Sequence, residues 1–258
     1  MANTKKENKK YCLTKEKITV EENDKEKTLF RIKAIKDFKT VDGKIVHKGD
    51  LGGFVEFEKN LSQQGCCWVA DNAKVYGRAC VRQNAKVYDN AEISGCAYVC
   101  ENSRVYNNSI ISGNAIIYGS AKIHGNVYVD NNTEIEGNAN IYGNAWIKDS
   151  SVVSSGKIYG HTKIGGHTQI RACDTICGNT IIYDSVIGGE KVKIKTQKNE
   201  YCTITGKAFI ESRLLLVQDE LSERFVASCL ETIDDFSQRT GELLFDEKDT
   251  MKMVRHHL

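Results

Sequence analysis

Proline is absent from all 258 residues. At an ordinary usage of ~5 %, about a dozen would be expected. Proline has no N–H to give a sheet ladder, so a chain without it suits nearly continuous strand pairing. Excess charge is absent too: 36 Lys and Arg stand against 34 Asp and Glu, a net charge of +2. That balance excludes a general affinity for nucleic acid or membrane and confines any anion site to a local patch. No apolar run follows the opening MANTKKENKK, and none elsewhere is long enough to cross a bilayer. Neither a signal peptide nor a membrane span is expected, and the expected location is the cytoplasm. Ten cysteines are present, but Cys66-Cys67, Cys96-Cys100 and Cys173-Cys177 lack zinc-ribbon spacing and no CxxC occurs. They read as small, mostly buried apolar residues in a reducing compartment, with no metal site expected.

What the sequence does contain is a six-residue period. In NAKVYGRACVRQNAKVYDNAEISG, Asn72 to Gly95, the aliphatic residues Val75, Val81, Val87 and Ile93 recur every six positions. Two positions before each stands alanine: Ala73, Ala79, Ala85 and Ala91. Extended from Cys66, the frame runs through fifteen hexads to Ser155, and every fourth position is Val or Ile. Second positions are small or β-branched throughout. Hexad ends carry Gly, Asn or Asp, which tolerate the left-handed backbone of tight corners. An α-solenoid would need a 3.6 period and better helix formers than Val and Ile. The pattern predicts an all-β fold, a parallel β-helix of hexapeptide repeats, three per coil. The aliphatic residue points inward and successive coils stack at about 4.8 Å. The frame slips by one residue near Gly156, resumes from His161, and dissolves after Asp184, giving about seven coils.

The flanks are expected to cover the open ends of the helix. Residues 1–28 read as a loose N-terminal segment. Residues 29–65 read as a β cap containing a hairpin around Asp42-Gly43. The β-helix occupies 66–190. Residues 191–258 read as a strand and helical extension, with Leu221, Phe225, Val226, Cys229, Leu230, Ile233 and Phe236 on one helical face. That segment would cap the last coil or pack on a neighbouring subunit.

The lead-in GDLGGFVEFEKNLSQQGCCWV, Gly49 to Val69, followed by NAKVYG repeats, resembles the YdcK-like family of single-stranded left-handed β-helix proteins. The resemblance spans about Leu29 to Ile187. The family is related in fold to the hexapeptide acyltransferases and is frequent in phage and prophage genomes. The resemblance implies a left-handed coil and a phage-type origin, which would place the protein in a host cytoplasm. It does not supply a chemistry, because fold analogy is not a site.

Third and fifth positions of each hexad point outward, and residues one coil apart form columns. One face carries Tyr88, Tyr106, His124, Tyr142 and, after the slip, Tyr159. Beside them run Lys86, Arg104, Lys122, Asn140 and Lys157. Aromatic and basic columns together suggest an anion-binding face, with Tyr106, His124 and Tyr142 for stacking and Arg104, Lys122 and Lys157 for phosphate. A second face stacks Ile110, Tyr128 and Trp146; a third carries Cys80, Tyr98 and Ile116, with Tyr118 nearby. Exposed apolar columns of this kind point to an oligomer interface, and a homotrimer is expected.

Two functional classes follow, with a third beside them. The first is a non-catalytic binder that captures a small anionic ligand, such as a signalling nucleotide, or a host protein. It has no cofactor, and its ligand residues are Arg104, Tyr106, Lys122, His124, Tyr142, Lys157 and Tyr159. The second is an acyltransferase taking acyl-coenzyme A, with His124 as base and His161 and His167 as weaker candidates. No obvious carboxylate stands beside any of the three, and no excursion interrupts the hexads to roof an active site. The third is a structural scaffold.

Overall fold

The computed structural model describes residues 9–22, 24–171, 173, 175–188, 192–196, 201–204, 209–211 and 215–217. The fold is all-β: short parallel strands stack rung on rung in three sheets, as a parallel β-helix requires. Two compact units divide the chain, residues 1–126 and 127–258.

In the first unit, three sets of rungs follow the hexads. Trp68 pairs with Lys86, Lys86 with Arg104 and Arg104 with Lys122 on one face. Cys80, Tyr98 and Ile116 pair in turn on the next, and Lys74, Glu92 and Ile110 on the third. The aliphatic fourth positions from Val69 to Ile123 are completely buried, and so are the small second positions from Cys67 to Ala121. Each strand lasts two residues because a corner follows. At the corners, Asp71, Asp89 and Asn107 take positive φ of 55–58°. That backbone costs a non-glycine residue roughly 1–2 kcal/mol. The side chains offset it by accepting the N–H of the next layer. Asp71 Oδ2 accepts from Asp89 at 3.2 Å, Asp89 Oδ2 from Asn107 at 3.0 Å, and Asn107 Oδ1 from Gly125 at 3.3 Å. A neighbouring corner uses glycine instead. A Cβ at Gly95 would lie 2.8 Å from the Gly113 carbonyl oxygen, so nothing larger fits that column.

The N-terminal end differs from the expectation of a loose segment through residue 28. Strand β1 (Tyr11–Glu22) pairs antiparallel with β2 (Lys25–Ala34), and β2 pairs with the strand Leu51–Val55. The alternation Ile18, Val20 in KITVEE makes one face of this hairpin apolar, and that face needs cover. Ile18, Val20 and Leu29 pack over the outward side chains Phe54 and Tyr76. Burial of a large side chain of this kind contributes about 1.5–3 kcal/mol. The amine of Lys10 is buried at the base of the hairpin, 2.6 Å from the Cys67 carbonyl oxygen, and burial holds it below its ordinary pKa. The smaller hairpin expected around Asp42-Gly43 is present: Phe38–Lys39 pairs with Ile45–Val46, and Gly43 has φ 85°. The helical winding also starts before residue 66, because Phe54 and Val55 pair in parallel with Lys74 and Val75.

The second unit winds on the same principle with less regular spacing. Tyr128, Trp146, Lys163, Ile181 and Thr203 form one series of partners. Asn140, Lys157, Thr175, Lys193 and Leu215 form another. The slip falls where expected: Asn140 pairs with Lys157, across Gly156 at φ 96°. The boundary at 190 is corrected, since the strands Lys193–Lys195, Tyr201–Ile204, Phe209–Glu211 and Leu215–Val217 continue the parallel stacks. The sixes dissolve after Asp184 because paired residues stand further apart in sequence, as Asn179 and Tyr201 do, while rung pairing persists. The expected helical face from Leu221 to Phe236 lies outside the described residues.

The cysteines fit their expected role in part. Cys67, Cys100, Cys173 and Cys177 are buried, while Cys96 is exposed and Cys12, Cys66, Cys80 and Cys202 are half-buried.

Candidate functional site: a basic column beside a ring column

In the first unit, parallel pairing places Lys86, Arg104 and Lys122 on successive rungs. Two residues further on, Tyr88, Tyr106 and His124 stack. Tyr88 and Tyr106 have ring centroids 4.7 Å apart with planes 6° from parallel; Tyr106 and His124 are 4.7 Å apart at 9°. The centroid spacing equals one rung, so the fold itself sets the stack.

That spacing changes what the rings offer. A planar ligand between two rings needs about 3.5 Å on each side, ~7 Å in all. The 4.7 Å gaps are too narrow, and Tyr106 has Tyr88 on one face and His124 on the other. The expectation that Tyr106 gives a nucleobase a stacking face is therefore not met within the column. What remains outward is a row of ring edges with their polar groups.

These phenols are held in the protonated, donating form. Burial, reinforced by Tyr106, pushes Tyr88 up to about 12 against the opposing charge of Arg104. Burial likewise raises Tyr106, again against Arg104.

The cations differ from one another. Lys86 is 4 % exposed and pairs with Asp42 of the small hairpin at 2.7 Å, with its amine 5.0 Å from the Tyr88 ring centre. It is therefore neutralised from within. Arg104 is half-buried and Lys122 exposed, and neither has a carboxylate partner among the described residues. The hairpin satisfies the first rung and leaves the next two to solvent.

The second unit carries its own share of the expected residues. Tyr142 and Tyr159 stack at 4.7 Å and 8°, and Lys157, shortly before Tyr159 in sequence, is exposed. A hydrogen bond with Cys177, then burial, pushes Tyr159 up to about 12. His161 and His167 are exposed at corners.

Of the expected interface residues, Ile110 and Ile116 in the first unit are 39 % and 43 % exposed, and Trp146 in the second is 43 % exposed. Tyr128 meets Trp146 edge-on at 5.6 Å. Tyr118 is half-buried. Tyr98 is half-buried and lines a cleft together with Arg82, Gln64, Asn84, Glu101 and Asn102. Sequence reading missed this cleft. Its signal was present: Asn84 and Asn102 are one coil apart at equivalent positions.

The fold and the columns define a class: a parallel β-helix displaying side chains at rung spacing. No protein-family model matches the chain, and no curated protein matches it. Function is therefore read from the columns themselves. Among the described residues, no helix is long and apolar enough to cross a membrane.

Proposed function

We propose that this protein is a non-catalytic, YdcK-like β-helix of left hand that captures an anionic partner on its basic and aromatic face. The observation that carries the proposal is the pair of cations Arg104 and Lys122, without a carboxylate partner among the described residues, one rung apart beside a column of donating phenols. Cations with hydrogen-bond donors at a fixed repeat suit a partner whose acidic groups also stand in a row, because each contact is charge-assisted and the frame is already rigid. A phosphorylated small molecule or an acidic strip on a host protein meets that description. A nucleobase would have to sit against ring edges rather than ring faces. Acyl transfer from acyl-coenzyme A, with His124 as base, is the competing reading.

Titration calorimetry with a panel of nucleotides, acyl-coenzyme A and a poly-glutamate peptide tests the proposal. At least one anion is expected to bind, to weaken as salt rises, and to lose at least ~10-fold in affinity with Arg104→Glu plus Lys122→Glu. Unchanged binding in that variant would sink the assignment. Thiol release from acyl-coenzyme A with an acceptor, lost in His124→Ala, would replace capture by catalysis.

The apolar outward residues support a second element of the proposal, a homotrimer. Ile110, Ile116 and Trp146 each leave about two-fifths of their surface in solvent, and covering such residues is a common reason for β-sheet faces to self-associate. Sedimentation equilibrium at micromolar protein is expected to give a multiple of 28.9 kDa. It should fall to that mass when Ile110→Arg and Trp146→Arg are combined. A monomeric wild type ends the trimer reading and leaves the anion site untouched.

A further inference from the structure

The cleft that Tyr98 lines lies wholly within the first unit, beside the rungs that carry Cys80 and Tyr98. Its volume is about 670 Å³, within the usual range for a small-molecule site. Its chemistry differs from that of the basic column.

The side chains can be inventoried. Asn84 Nδ2 donates to Asn102 Oδ1 at 3.1 Å. That bond fixes both amides and leaves the Asn84 carbonyl oxygen as an acceptor and the Asn102 amide hydrogens as donors. Gln64 adds another carboxamide. Its backbone N–H is bonded to Ser62, and its side chain has no partner among the described residues. Glu101 uses one carboxylate oxygen to accept the Gly119 N–H at 3.0 Å, and its own N–H is held by Gln83 at 2.7 Å. Its second oxygen is an acceptor. Arg82 has no carboxylate partner among the described residues; its guanidinium carbon lies 6.0 Å from the centre of the Tyr98 ring, and one nitrogen lies 3.9 Å from Cys80 Sγ.

The formal charge of this lining is zero, with Arg82 against Glu101. Donors and acceptors alternate along the cleft, and the exposed Arg82 side chain lies over the Tyr98 ring. A phosphate or carboxylate only accepts, so it would confront the Asn84 carbonyl and the Glu101 carboxylate. An ammonium only donates, so it would confront Arg82. A hydroxyl does both. Adjacent hydroxyls on a pyranose meet a carboxamide through two hydrogen bonds, and the C–H face of the ring covers an aromatic side chain. We propose that this cleft binds a neutral saccharide, with Tyr98 as the platform once the exposed Arg82 side chain swings off its ring, and with Asn84, Asn102, Gln64 and the displaced Arg82 as the hydroxyl-reading groups. The site is distinct from the anion face in position and in ligand, and it assigns Tyr98 to a ligand rather than to an oligomer interface.

The test uses the full ¹⁵N-labelled chain and three neutral probes, chitotriose, cellotriose and maltotriose. At least one is expected to shift the side-chain amide resonances of Gln64, Asn84 and Asn102 saturably at or below ~10 mM, a range suited to a shallow site. Tyr98→Ala is expected to weaken that binding at least ~10-fold. Asn84→Ala with Asn102→Ala, whose side chains project at the surface, should do the same and serves if Tyr98→Ala lowers the yield of folded protein. Arg104→Glu with Lys122→Glu should leave it unchanged, so loss of the anion reading and loss of this one are separately visible. If none of the three sugars moves those amides, the assignment fails. It fails equally if the shifts survive in the asparagine variant, or if inorganic phosphate competes with the sugar at the same resonances.

Discussion

The two units wind the same rung and keep register by different means. In the first, partners from Trp68 onward stand eighteen residues apart on all three faces, as Asn84 to Asn102 and Asn90 to Asn108 do. Side chains at the corners tie each coil to the next. Asn90 donates to Asn108 at 3.2 Å and Asn108 to Asn126 at 3.0 Å, while Asp89 accepts both the backbone and the side-chain N–H of Asn107. In the second unit ties of both lengths occur: Asn131 donates to Asp149 at 3.2 Å across eighteen residues, and others span seventeen. Asp149 accepts the Gly166 N–H at 3.0 Å, and Thr196 Oγ1 accepts the Asn179 N–H at 2.6 Å. The inward residues are alike in both units: Ile123 and Ile158 are equally buried. The comparison teaches that corners absorb differences in length. Strands cannot, because a one-residue shift within a rung turns the aliphatic side chain outward.

The largest expected effect breaks this comparison directly. One serine inserted between Asn107 and Asn108 interrupts the Asp89–Asn107–Gly125 column and the Asn90–Asn108–Asn126 ladder together. Several hydrogen bonds at ~1 kcal/mol each are lost. If the corner fails to absorb the extra residue, Ile111 leaves the core at a further ~1.5–3 kcal/mol. The same insertion between Ser155 and Gly156 restores the six-residue count at a corner already one short and is expected to cost under ~1 kcal/mol. Urea midpoints of the two proteins, read with their slopes, decide the matter. Equal losses would mean that corner length is as rigid in the second unit as in the first.

The contrast between units also shows where the sequence was readable. The inward pattern was legible because a β-helix imposes one strict demand, an aliphatic residue on every sixth position, and the demand is met from Val69 to Val153. The columns followed, since the hexad fixes which residues share a rung. The slip at Gly156 was visible as a missing residue. Past Asp184 the sequence separation of paired residues varies, so the period vanished while the pairing did not. The β1–β2 hairpin escaped because its signal, Ile18 and Val20 alternating with Lys17, Thr19 and Glu21, is short and lies within a Lys- and Glu-rich stretch that reads as solvated. The stacking expectation at Tyr106 had the right neighbours and the wrong use of them. Adjacency is set by the hexad, but whether a ring face stays open depends on the rung spacing against the thickness of a ring. The mixed inventory of the Tyr98 cleft depends on which amide hydrogens are already used, and no sequence pattern encodes that.

The smallest of the expected effects sharpens the comparison at the small hairpin, a clasp belonging to the first unit. Asp42 is partly desolvated, which disfavours its charge, yet hydrogen bonds from Lys86 and Thr40 outweigh this and hold its carboxyl at about 2. A carboxyl depressed in the folded state stabilises it fully above the unfolded value near ~4, and the contribution disappears as pH falls toward about 2. Discounted for the part that solvent screens, it amounts to about 1–2 kcal/mol. Asp42→Asn is expected to remove that pH dependence and to cost slightly more at neutral pH, because Lys86, 4 % exposed, is left charged without its carboxylate. Adding Lys86→Met should recover most of the loss, since no buried charge is then left without its partner. Thermal unfolding of the three proteins between pH 2 and pH 7 reads all of this at once. A double variant no more stable than Asp42→Asn alone would show that Lys86 holds the clasp through its packing against Tyr88 and not through its charge.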